Sequence, residues 1–406
     1  MKRLAPLFTL FFALTLLAAC SGETETTAEK AQRLAQEFII VDGHVDLPSR
    51  LSGGWENVSQ RTPDGDIDFV RAREGGLDAP FMSIYVSTRY QDEAGAAYNR
   101  ADTLIDLVER IASEWPDQFA IATTPDQIRQ HHEEGLVSLP MGMENGAGIE
   151  DDLANLQYFY DRGIRYITLT HGEDNLIGDS SYDDSEDTHD GLSDYGREVV
   201  REMNRLGIMV DVSHITDETF WDVMEVTEAP VIASHSSARH FTPGFERNMG
   251  DSLIAHLPEN GGVIMINFGS AFLDSASANS GDRVQQAISD SLEAMGLDRS
   301  SDEGRQWAQQ YYNENYQFSD VEMVANHIDH VVELAGVDYV GLGSDWDGVG
   351  NTLPEGLKSP AGLPNLIAEL LERGYTEEEI EKICSGNVFR VWEQVIQTAE
   401  EMQSSM

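Results

Sequence analysis

The chain has 406 residues, of which 41% are apolar and 24% charged, the composition of an ordinary folded protein. Asp and Glu number 72 against 26 Lys and Arg, a formal net charge of −46. No basic footprint exists for nucleic-acid phosphates or anionic lipid headgroups, which rules out binding driven by a basic patch.

The N-terminus reads as an export signal. Lys2 and Arg3 precede an apolar run from Leu4 to Leu17 that is too short to span a bilayer comfortably. Leu17-Ala18-Ala19-Cys20 then resembles a bacterial lipobox. It implies a signal peptide over 1–19, lipidation of Cys20, a polar tether over 20–36 and one domain over 37–398. The expected location is extracytoplasmic and membrane-anchored; Ser21, where an Asp would favour inner-membrane retention, points weakly to the outer membrane. Cys384 is then alone and reads as a small buried hydrophobe.

Eight short, nearly continuous apolar runs follow: 38–44, 80–86, 136–144, 164–171, 208–214, 230–236, 262–268 and 339–345. Such runs suit strands buried on both faces of a parallel sheet. Helical patterns lie between most of them, as in the stripe of Leu104, Ile105, Val108 and Ile111. Thr124-Pro125-Asp126-Gln127 and Thr376 with Glu379 read as helix starts, and Gly163, Gly207, Gly336 and Gly374 as stops. Strand and helix alternating eight times predict a (β/α)₈ barrel. A doubly wound sheet is the rival, but its usual glycine-rich phosphate loop is missing after the first strand, where His44-Val45-Asp46 stands instead. Two long connections, 173–192 with eight acids and 273–319 with helical stretches at Val284–Met295 and Gly304–Asn315, are expected on the C-terminal face. The acidic loop lacks EF-hand spacing and reads as a solvated loop.

The strand ends carry the chemistry. His44 and Asp46, Glu144, His171, His214, His235 and Asp345 all fall at C-terminal ends of predicted strands. Residues i and i+2 of a strand share a face, so His44 and Asp46 can hold one ion together. A glutamate can bridge two ions, and imidazole and carboxylate both suit zinc. A lone strand-end histidine is usually structural; four converging on one rim with three acids are not. His131, His132, His189, His256, His327 and His330 are assigned no metal, and His240 is a weak candidate.

The segments DGHVDLP (42–48), GMENGAG (142–148), LTHGEDN (169–175), VDVSH (210–214), IASHSSAR (232–239), ERNMGD (246–251) and GLGSDWDG (341–348) resemble the membrane (renal) dipeptidase family, the M19 zinc peptidases. The resemblance runs from residue 38 to about 395. It implies a TIM barrel of the metal-dependent hydrolase type, with insertions at the C-terminal face, and two zinc ions as cofactors. His44 and Asp46 would hold the first, Glu144 would bridge, and His214 and His235 would hold the second. His171 would face the substrate carbonyl, Arg247 the terminal carboxylate, and Asp345, or else Asp347, would handle the proton. The implied substrates are dipeptides. Manganese or cobalt would fit similar donors. A related barrel hydrolase acting on a lactone, phosphoester or cyclic amide is the alternative enzyme, and a non-catalytic binding lipoprotein the alternative class. A homodimer is left open. Two positions depart from the family: Asn145-Gly146 replaces Gly-Gly, and Gly269 stands where some members have an aromatic that helps hold the carboxylate.

Overall fold

The eight apolar runs become the eight parallel strands of a barrel in the computed structural model, which describes residues 25–405 other than Asp184, Glu186 and Asp187. The expected signal peptide and Cys20 lie outside the described residues. The strands are β1 Ile40–Val45, β2 Leu77–Tyr85, β3 Met141–Glu144, β4 Ile164–Thr168, β5 Met209–Asp211, β6 Ile232–Ser236, β7 Val263–Ile266 and β8 Val340–Leu342. Each pairs in parallel with the next. Between β8 and β1 a Val45–Trp346 bridge closes the ring. There the Asp345 amide donates to the His44 carbonyl at 3.0 Å and the Asp46 amide to the Trp346 carbonyl at 2.8 Å.

The run 136–144 is not one strand. Val137–Leu139 pairs with Phe119–Ile121 in a small sheet beside the barrel, and only Met141–Glu144 enters the barrel. Pro140 separates them: it has no amide for a ladder, but its carbonyl accepts from the Met82 amide at 2.7 Å.

The inside of the barrel is filled by side chains. Tyr166 lies against Phe81 (centroids 5.3 Å apart), and Phe81 against Trp392 (5.2 Å). Trp392 comes from the terminal helix Asn387–Ser404, which packs into this interior cluster. Gly142 gives Tyr166 its room, since a Cβ there would lie 2.0 Å from the ring. Cys384 is buried, as expected.

Outside the barrel, apolar stripes dock helices on the strands. Leu104, Ile105, Val108 and Ile111 form the buried stripe of helix Ala96–Glu114. Thr124 caps its helix by accepting from the Gln127 amide. The Gln127 side chain reaches one residue further back than expected, to the Thr123 amide at 2.7 Å. Thr376 and Glu379 make the full reciprocal box, and Gly207 and Gly374 are left-handed stops.

The tether reading is corrected from Thr27 onward. Thr27–Glu37 is a helix, boxed by Thr26 and Glu29, that buries Ala31, Leu34 and Ala35 and packs on helix Leu363–Arg373. The insertion after β7 is longer in helix than expected: Ser275–Met295 and Asp302–Asn315 share a small core of Val284, Ile288, Leu292 and Ala308. Among the described residues no helix is long and apolar enough to cross a membrane.

Candidate metal centre

The C-terminal rim of the barrel gathers all the expected ligands. His44 lies in β1 and Asp46 just beyond it; Glu144 ends β3; His235 lies in β6. His171, His214 and Asp345 each sit three residues past the ends of β4, β5 and β8. Asn145, His214, Asp345 and Asp347 all take positive φ, between 64° and 79°, a conformation non-glycine residues rarely adopt. Such strain gathers where a functional group must be aimed.

Glu144 is the hub. Its Oε2 is 3.4 Å from His44 Nε2, while its Oε1 is 3.5 Å from His171 Nε2, 3.2 Å from His214 Nε2 and 3.4 Å from His235 Nε2. His44 Nε2 is also 3.5 Å from Asp46 Oδ2. Three overlapping groups could each hold an ion: His44, Glu144 and His235; Glu144, His171 and His214; His44, Asp46 and Asp345. His44 Nε2 and Asp46 Oδ1 are buried with no hydrogen-bond partner. Burial is costly for such atoms, and a divalent cation resolves both at once, so the residues fit a metal.

The ionisation states divide: burial disfavours charge on His44, yet Tyr166, Glu144 and Asp46 hold that ring well above the ordinary imidazole range, so an ion there would displace its proton. Burial, and next the Arg247 charge, holds His214 well below the ordinary imidazole range; burial, with His44 and then Arg247, does the same to His235. Both are thereby neutral donors. Burial opposes the charge on Glu144, yet the surrounding imidazoles hold it well below the usual range. Burial raises Asp345 to about 7, helped by Asp46 and Glu144 and opposed by His44.

Sequence reasoning missed the residues that aim the ligands. Tyr166 Oη lies 2.8 Å from His44 Nδ1 and donates to the Gly43 carbonyl at 3.1 Å. Its proton is thus committed, so His44 keeps its own on Nδ1 and would offer Nε2 to an ion that displaces the proton there. Ser234 Oγ lies 2.7 Å from His235 Nδ1 and donates to Asp211 Oδ2 at 2.6 Å, which fixes His235 in the same way. Ser83 Oγ donates to Glu144 Oε2 at 3.1 Å, and Asn267 Nδ2 to Asp345 Oδ2 at 2.8 Å. The available signal was a polar residue inside an otherwise apolar strand.

Asp345 and Asp347 are separated by geometry. Asp345 faces the cluster, whereas Asp347 accepts from Arg50 Nε at 2.8 Å and the Asp66 amide at 2.7 Å. Arg247 is buried; it donates to Ser236 Oγ and the His235 carbonyl, both at 2.8 Å, and its Nε has no partner. It opens with the cluster onto one cleft of about 580 Å³. Asn145 explains the first departure. At φ 79° it holds a backbone shape natural to glycine, and its amide donates to the Val86 carbonyl at 2.9 Å and Gln91 Oε1 at 2.8 Å.

The acidic loop is more than a solvated run. Asp174 accepts from the Ser180 and Thr188 amides and Asp179 from those of His189 and Gly191, so the described residues of this loop fold back on themselves beside the rim. The other histidines stay outside the centre. His131 meets Ser138 and His132 meets Asp78, each at 2.9 Å. His327 is buried, accepting from the Ala238 amide and donating to the Leu273 carbonyl. His240, Asp251 and His330 form a separate surface group.

A family model for membrane dipeptidase, peptidase family M19, matches residues 28–406. A dipeptidase of Schizosaccharomyces pombe, itself described as uncharacterised, is 32% identical over 387 residues, 91% of this chain and 83% of its own length; a second from the same yeast is 31% identical over 382 residues, 90% and 83%. Among solved structures, the probable dipeptidase PvdM of Pseudomonas aeruginosa superposes with TM-score 0.79 at 26% identity, covering 92% of this chain and 99% of its own. A metallopeptidase of Rhodobacter sphaeroides, liganded with a phosphinate mimic of the dipeptide L-Ala-D-Ala, gives 0.72 at 28%, covering 88% and 99%.

Proposed function

The chain belongs to the membrane dipeptidase family, peptidase family M19, and is a metal-dependent peptide hydrolase; on that footing we propose that it cleaves free dipeptides with two zinc ions, as a lipoprotein outside the cytoplasm. The observation that carries the dipeptide reading is Arg247. Its guanidinium is buried, its Nε is unpartnered, and its Nη2 lies 3.1 Å from His214 Nε2. A carboxylate held there would bring the peptide bond one residue away to the ligand cluster, which disfavours cleavage inside longer chains.

His44 and Asp46 would hold one ion, His214 and His235 the other, with Glu144 between them; this nitrogen and carboxylate set suits zinc. When bound, the ions polarise the peptide carbonyl and make water acidic enough to attack it near neutrality. The side chains do the rest. Arg247 forks onto the terminal carboxylate and fixes the substrate's register. Burial keeps His171 neutral, so its ring N–H can donate to the carbonyl oxygen as negative charge builds there. Asp345 takes a proton from the attacking water and returns it to the leaving nitrogen, a role its raised affinity for protons suits. The Rhodobacter neighbour's ligand supports acceptance of a D-residue at the C-terminal position.

The test is hydrolysis of L,L and L,D dipeptides by the metal-loaded protein, with and without chelator. Chelator-sensitive cleavage that fails on C-terminally amidated dipeptides is the expected result. No turnover of any dipeptide by a folded, two-metal protein overturns the reading. The lipoprotein reading rests on the Leu17–Cys20 motif; fatty-acid labelling that disappears in Cys20→Ala checks it.

A further inference from the structure

We propose that the cleft sorts dipeptides by the side chain of their C-terminal residue, taking apolar ones against a wall made by Phe272, Tyr182 and Val349. This rests on the dipeptidase reading and on the carboxylate anchor at Arg247. The Cα of a C-terminal residue is bonded directly to its carboxylate carbon. Fixing the carboxylate on Arg247 therefore places the side chain within a few ångströms of the guanidinium, whatever the residue.

The surroundings of Arg247 are of two kinds. On one side stands the ring of Phe272, its centroid 5.4 Å from the guanidinium carbon. Phe245 meets Phe272 edge-on at 5.6 Å, and Tyr182 meets Phe245 at 6.0 Å, so the aromatic surface is continuous. Tyr182 is 39% exposed, one of four large hydrophobics so open among the described residues, and it lines the cleft with Phe272 and Val349. On the other side stand the carboxylates of Asp46, Glu144 and Asp345. An apolar side chain covers the wall and gains by leaving water; an acidic one gives up its hydration against the rings of Phe272 and Tyr182 while the substrate carboxylate already occupies Arg247.

The wall depends on the departure at Gly269. A Cβ there would lie 2.8 Å from Phe272 Cδ2 and 2.8 Å from Val349 Cγ1. With no side chain at 269, Phe272 and Val349 close over the position from either side. An aromatic is thus still present beside Arg247, contributed from three residues further along and turned to cover a side chain.

The experiment compares kcat/KM of the metal-loaded protein for Ala-Gly, Ala-Leu, Ala-Phe and Ala-Asp, each C-terminal residue in both configurations where chiral. Leu and Phe are expected to exceed Gly roughly tenfold, and Asp to fall below it. Phe272→Ala should collapse the Leu:Gly ratio, which is read within one variant and so is insensitive to its overall activity. Val349→Asp, on the same wall, should lower that ratio and raise Ala-Lys relative to Ala-Leu, giving an independent answer if Phe272→Ala does not fold. A flat series in the parent protein, or an unchanged ratio in the folded variants, overturns the inference while leaving the dipeptidase reading intact. Failure to cleave any dipeptide removes that reading and the inference together.

Discussion

The Tyr166 hydroxyl lies 2.8 Å from Nδ1 of His44, the ring nitrogen away from Glu144. The contact fixes both the tautomer and the tilt of the first expected ligand from inside the barrel. Tyr166→Phe keeps the ring that fills the interior and removes only the acceptor. It is expected to weaken metal binding about tenfold to a hundredfold with little loss of fold, measured by chelator competition at constant pH.

Asp211 acts on the other side of the centre. Its carboxylate accepts from the Ser213 and Ser234 amides and from the Ser234 and Thr168 hydroxyls. Asp211→Asn turns an NH₂ group towards at least one of these donors. A stability loss of about 3 kcal/mol is expected, together with weaker metal binding at His235. Ser234→Ala should weaken that binding with a smaller change in stability. Thermal unfolding and metal titration read the two effects separately.

Arg247→Ala would remove the proposed carboxylate anchor. It should lower kcat/KM on dipeptides by about two orders of magnitude or more, the cost of losing one partner of a buried charge pair. Wild type and variant should differ far less on C-terminally amidated dipeptides, which offer no carboxylate. Steady-state kinetics on matched acid and amide substrates check both statements.

His327 makes stability depend on pH. Burial pushes its pKa from 6.5 to about 4, with the Leu273 carbonyl pulling the other way. The folded state therefore prefers the neutral ring, while the unfolded chain takes a proton below 6.5. The contribution is complete above 6.5 and is lost as pH falls toward 4, by about 3 kcal/mol in all. His327→Asn should be less stable at neutral pH but show a shallower fall over that window. Chemical denaturation at a series of pH values measures the two slopes.

The barrel was legible because its strands are buried on both faces and leave unbroken apolar runs. The candidate ligands were legible because they end those runs. What escaped was of three kinds. Phe119–Ile121 is three residues long and pairs outside the barrel, too short to leave a period. Thr27–Glu37 looked like tether because its polar face dominates the composition, although the Thr26–Glu29 box and the Ala31, Leu34, Ala35 spacing were there to read. Tyr166, Asp211 and Ser234 looked like ordinary strand residues, since sequence does not show which ring nitrogen a neighbour meets across the barrel. The relation of Phe272 to Gly269 needed the turn between them to be seen folded.

The seam where β8 meets β1 is also where His44 and Asp46 meet Asp345, through the Asp345–His44 and Asp46–Trp346 backbone bonds. Residues three hundred positions apart must therefore be joined before the centre exists. A nascent chain still lacking β8, or one clipped before it, carries every expected metal ligand yet has neither the closing strand nor Asp345, the acid proposed to handle the proton. Hydrolytic competence thus requires the seam to be closed, and its appearance during refolding should report that closure rather than the formation of the helices.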